Sequence, residues 1–211
     1  MKPQRIASLL LLAGIALAGA TSASAGTLYE NGPVTSANVE AWNINFGFSV
    51  SDSVVANGNV QGVLFWATLL PGDTVTGVEV SLGSSPFASD LFDGFLNVTQ
   101  LSCMSDAFGF NLCEESATFN GPNINGTAWL TLQNATAPSG DPVWWTENSG
   151  IGCQSPGCPS DAFTNQVEGT IPSEAFTLLG TPGTGSTPEP GGILLFGSGV
   201  LGLGSLLRRR L

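Results

Sequence analysis

Fifteen carboxylates stand between Gly26 and Thr187, with no histidine, lysine or arginine among them. The five basic residues, Lys2, Arg5, Arg208, Arg209 and Arg210, lie in the end segments, as does the sixteenth acid, Glu189. That inventory removes most catalytic designs. No histidine is present to activate a serine or cysteine. No lysine is available there for a Schiff base, and no arginine for a phosphate clamp. A carboxylate pair of the glycosidase kind is the remaining enzymatic option. Glu114 and Glu115 are adjacent, however, and on a strand they would point to opposite faces. No enzyme is therefore expected. Nucleic acid is not an expected partner either, because nothing in the body neutralises phosphates.

Binding chemistry fits the inventory better. Asp141-Pro142-Val143-Trp144-Trp145-Thr146-Glu147 is dense in aromatics and acids. Adjacent strand residues face opposite ways, so one of Trp144 and Trp145 is expected in the core. The other either packs beneath a loop or stands open beside Asp141 and Glu147, where an indole could stack on a sugar ring. Packing of both is the plainer expectation. Calcium is the ion this surface would suit, since it takes oxygen ligands. Asp90 with Asp93 around Gly94, and Asp141 with Glu147, are the candidate pairs. No Asp-x-Asp-x-Asp loop occurs, so no obligatory cofactor is expected.

The four cysteines fall as Cys103-x9-Cys113 and Cys153-x4-Cys158. Three pairings are open, and neither spacing suits a four-thiolate zinc site. In an exported chain an even count favours disulfides. The local bridges Cys103–Cys113 and Cys153–Cys158 are expected, each stapling a loop and contributing roughly 2–3 kcal/mol by the chain-entropy estimate.

The elements that must position these residues are strands. Trp42, Ile44, Phe46, Phe48 and Val50 alternate with polar or small residues, the period of a half-buried strand. Asn57-Gly58-Asn59 reads as a turn. Val60 to Leu70 is apolar on both faces, Pro71-Gly72-Asp73 reads as a turn, and Thr76 to Leu82 alternates again. These three runs predict a meander. Further strands are expected at 92–100, 115–120, 127–133, 143–147 and 173–179. No helical period occurs between the end segments. The expected fold is all-β, an antiparallel β-sandwich of jelly-roll or immunoglobulin-like topology over residues 26–180, with a Pro/Gly/Thr linker at 181–187.

The ends read as addresses. Lys2 and Arg5, the apolar run Ile6 to Ala20 and Ala23-Ser24-Ala25 predict a signal peptide over residues 1–25, handled by the Sec translocon and signal peptidase. At the other end Pro188-Glu189-Pro190 precedes 17 uncharged residues, 191–207, and then Arg208-Arg209-Arg210. That run is at the short end of a membrane span, and the arginines would keep its far side cytoplasmic. Tripeptide, hydrophobic helix and basic end together resemble the PEP-CTERM sorting signal of exported bacterial proteins, here over residues 188–211. The resemblance implies recognition by an exosortase, a membrane-embedded cysteine protease-transpeptidase. It implies transient residence in the inner membrane, then delivery to the cell surface or extracellular matrix. Two functional readings follow: a surface or matrix structural and interaction protein, or a lectin-like module for extracellular polysaccharide, with or without calcium.

Overall fold

The computed structural model describes residues 25–34, 40–149 and 161–183. The cleavage-site, sorting-motif and linker expectations, apart from Ala25 and residues 181–183, and the Cys153–Cys158 pair lie outside the described residues. Among the described residues there is no helix, and thus none long and apolar enough to cross a membrane.

Twelve strands form: β1 (Gly26–Glu30), β2 (Ala41–Asn43), β3 (Ser49–Leu69), β4 (Gly77–Gly83), β5 (Phe92–Asn97), β6 (Thr99–Ser105), β7 (Asn111–Thr118), β8 (Asn123–Thr136), β9 (Trp144–Thr146), β10 (Ala162–Thr164), β11 (Thr170–Ile171) and β12 (Phe176–Pro182). They join one antiparallel sheet whose main path is β1-β12-β3-β8-β4-β5, with the other strands attached beside it.

β3 is the spine. Along one edge β10, β12 and β9 follow one another, against residues 50–52, 58–65 and 67–68. Along the other edge β8 pairs with 49–59 and β7 with 62–69. The strand keeps one apolar side toward the core by changing parity. Val50, Val54, Ala56 and Val60 are buried at even positions, and Val63, Phe65, Ala67 and Leu69 at odd ones. Gln61 is the extra residue, skipped where the β12 register shifts. An inserted residue reverses which side chains face inward. β8 does the same at Asn134, which has φ 49° and separates buried Leu132 from buried Ala135.

Several sequence expectations are corrected. The run Trp42 to Val50 is not one strand. Asn43 Oδ1 accepts the Asn45 amide at 2.7 Å, the Phe48 amide donates to the Asn45 carbonyl at 3.0 Å, and Phe46 and Gly47 take φ of 56° and 84°. The chain turns there and leaves Phe46 and Phe48 exposed. Asn57-Gly58-Asn59 is not a turn but lies inside β3, paired with β8 on one edge and β12 on the other. A Cβ at Gly58 would collide with the Thr181 carbonyl oxygen, so glycine here permits close approach.

The meander does not form. The Pro71-Gly72-Asp73 turn is present, with the Asp73 amide donating to the Leu70 carbonyl at 3.1 Å. β8 nevertheless lies between β3 and β4, satisfying the facing backbone groups of both. The expected strand 92–100 is two strands, broken at Val98, because β5 pairs with β4 and β6 with β7. Thr181 and Pro182, assigned to the linker by composition, close β12 opposite Asn59 and Gly58.

Candidate functional site

The Cys103–Cys113 disulfide is present, joining residues directly opposite in β6 and β7 with a Cα–Cα distance of 4.1 Å. It staples a hairpin whose tip is residues 106–110. Asp106 shapes that tip. Its Oδ1 accepts the backbone N–H of Phe108 and of Phe110, each at 2.8 Å, and its own amide donates to the Phe110 carbonyl at 2.9 Å. Gly109, at φ 91°, allows the reversal. Phe108 is consequently held outward, 68% exposed.

Trp144 meets this tip because β3 brings the two together. Thr68 pairs with Leu112 of β7 on one side and with Trp144 of β9 on the other. Beyond the end of that ladder Phe110 packs edge-on to Trp144, with ring centroids 5.9 Å apart and planes at 80°. A cleft of about 350 Å³ opens between them, lined by Ala41, Thr68, Asp106, Phe108, Phe110 and Trp144. That volume lies within the range of small-ligand sites. Thr68 Oγ1 and Thr146 Oγ1 share a hydrogen bond at 2.9 Å at its floor.

The two tryptophans divide as their alternation requires. Trp145 is fully buried, its indole N–H donating to the Ala175 carbonyl at 3.1 Å, edge-on to Phe176 at 5.6 Å. Trp144 is half-buried and faces the cleft. Neither expected acid, Asp141 or Glu147, is among the residues lining the cleft. Asp141 accepts the Asn45 side-chain amide through its backbone carbonyl. Glu147 Oε1 accepts the Trp42 indole N–H at 3.0 Å. Asp106 is the acid at the cleft. Sequence reasoning passed over Asp106, Phe108 and Phe110. The run Asp106-Ala107-Phe108-Gly109-Phe110 between the two cysteines was the available signal, but nothing local showed that Trp144 lay across from it.

In the Asp90–Asp93 pair each carboxylate accepts a hydrogen bond. Asp90 Oδ1 accepts the Ser84 amide at 2.8 Å, and this hydrogen bond holds its carboxyl below the usual range. Asp93 Oδ1 accepts the Ser81 hydroxyl at 2.8 Å. Among the described residues no group of three metal-ligating side chains forms.

Buried acids lie apart from the cleft. Asp52 Oδ2 accepts the Glu174 amide at 2.7 Å and the Ser173 hydroxyl at 3.1 Å. Glu174 is fully buried, and its carboxylate oxygens have no hydrogen-bond partner among the described residues. Burial first, then the charges of Asp52 and Glu147, push its carboxyl well above the ordinary range. Glu115 is also fully buried, on the face it shares with Cys113 and Ala117; burial pushes it up to about 8. Glu114, on the opposite face of β7, is near the Ser102 hydroxyl, so the two adjacent acids do not form a catalytic pair.

The chain matches no family model, no curated protein and no solved structure.

Proposed function

We propose that this chain is an exported surface or matrix interaction protein, built as an antiparallel β-sandwich of jelly-roll or immunoglobulin-like topology, that binds extracellular carbohydrate through the Trp144 cleft. The carrying observation is the half-buried Trp144 beside Phe108, Phe110 and Asp106 on a stapled hairpin. An aromatic surface with a polar acceptor suits a ring that has an apolar face and hydroxyl edges. Fixing the hairpin in advance reduces the ordering cost of binding. The sandwich reading draws on β3, which is shared by β8 along one half and β7 along the other. Export and exosortase processing rest on the resemblance at residues 188–211.

The test is an oligosaccharide array probed with the exported, disulfide-intact protein, with and without calcium. At least one glycan is expected to bind, and Trp144→Ala to weaken it about 30-fold, the equivalent of losing roughly 2 kcal/mol at an aromatic anchor. Binding that survives Trp144→Ala undiminished would remove the cleft from this reading. An array with no bound glycan would leave the structural role alone.

A further inference from the structure

The cleft's charge balance goes further than its shape. Building on the carbohydrate reading, we infer that the Trp144 cleft selects neutral pyranose chains and rejects uronic-acid chains.

Asp106 decides this. One carboxylate oxygen is committed to the Phe108 and Phe110 amides. The other has no hydrogen-bond partner among the described residues, and the side chain lines the cleft. A carboxylate oxygen only accepts, so the ligand must offer a donor. A sugar hydroxyl does. The position of that oxygen is set twice, by the turn it organises and by the Cys103–Cys113 staple three residues before it and beyond. The acceptor is therefore in place before a ligand arrives.

The same group excludes anions. The other lining residues, Ala41, Thr68, Phe108, Phe110 and Trp144, carry no cation. The whole body between Gly26 and Thr187 has none to offer. A uronate carboxylate entering the cleft would meet a like charge with no counter-charge. Salt screens that repulsion only beyond about 8 Å at physiological ionic strength, farther than the separation inside a cleft of this size. Discrimination by repulsion of the wrong ligand is a general route to specificity.

The experiment compares neutral hexasaccharides (glucan, mannan and galactan) with hexagalacturonate and hexamannuronate, at 0.15 M salt, with calcium or a chelator. The protein is the exported, disulfide-intact chain, as wild type, Phe108→Ala and Asp106→Asn. A neutral hexamer is expected to bind at least 10-fold tighter than either uronate. Phe108→Ala, which truncates an exposed side chain, is expected to weaken it while the thermal melt stays unchanged. Asp106→Asn keeps an oxygen for both turn amides but removes the charge, and is expected to narrow the neutral-to-uronate ratio. Uronates binding as well as neutral chains, in a manner that depends on Phe108, would overturn the selectivity and leave carbohydrate binding standing. An unchanged ratio in Asp106→Asn would also overturn it. No binding to any hexamer by folded protein would remove both readings together.

Discussion

Glu147 and Glu174 stand opposite one another in an antiparallel bridge, two acids on one face with no cation in the body to separate them. Glu147 is half-buried and its carboxyl is raised, by burial first and by the charge of Glu40 after it, against the lowering effect of the Trp42 indole. Glu174 is raised further. A carboxyl raised in the folded state holds its proton more tightly there than in the unfolded chain. Its stabilisation is full below the ordinary value of 4.5 and is lost as pH rises through the folded value. Denaturant melts are expected to show stability declining from about pH 5 upward, and Glu174→Gln to flatten that decline. A variant with the wild-type slope would show that Glu174 does not titrate in this range.

Glu115 adds a second, separable titration. It points into the face of Cys113 and Ala117, opposite Phe65, with no hydrogen-bond partner for either oxygen among the described residues. With a folded value of about 8, its contribution falls away between pH 4.5 and 8. Glu115→Gln is expected to gain most over wild type at pH 8 and least at pH 4. Equal differences at both ends would point to packing rather than protonation.

Cleaving the hairpin staple should cost stability. Cys103 and Cys113 are 10 residues apart in sequence, and the chain-entropy estimate for such a loop is roughly 2–3 kcal/mol. Cys103→Ser is expected to lower the denaturant midpoint accordingly. It should also increase amide exchange at Phe108 and Phe110, whose N–H groups depend on Asp106. Unchanged exchange would mean the Asp106 turn holds the tip without the bridge.

Gly58 should tolerate no side chain. At φ 152° it lies under the Thr181 carbonyl, with Leu28 Cδ2 2.9 Å and Pro182 Cα 3.0 Å from where a Cβ would sit. Gly58→Ala is expected to destabilise by about 1–3 kcal/mol, the usual cost of overpacking. A turn residue at the same place would have accepted alanine more cheaply, so a neutral substitution would contradict the pairing of β12 with β3.

The acidic body should gain stability with salt. The body's carboxylates, apart from Glu115 and Glu174 where burial favours the proton, have no cation to offset them and repel, and screening shortens that repulsion. The melting temperature is expected to rise between 10 mM and 0.15 M sodium chloride. A flat profile would mean the acids are too dispersed to interact.

Residue order decided what depends on near neighbours. Period-two alternation in Thr76 to Leu82 marks a strand because side chains alternate across a pleat, and β4 is there. The spacing Cys103-x9-Cys113 marks a local staple because the two cysteines can face each other across a short stretch, although what it closes is a paired hairpin rather than the expected loop. The adjacency of Trp144 and Trp145 put them on opposite faces with one in the core, but left open whether the other packs or stands at a cleft. Tertiary structure decided what depends on distant partners. Alternation says which side of a strand is apolar but not which strand lies beside it, so β8 between β3 and β4 was invisible in either sequence. Asn57-Gly58-Asn59 has turn chemistry, yet the pairing of β8 and β12 along both edges held it extended. The bulges at Gln61 and Asn134 leave no mark on composition, because they arise from how two registers meet. The cleft is of this second kind: Asp106, Phe108 and Phe110 come within reach of Trp144 only because β7 and β9 flank Thr68, which lies 38 (106 − 68) to 42 (110 − 68) residues before the tip and 76 (144 − 68) before the indole.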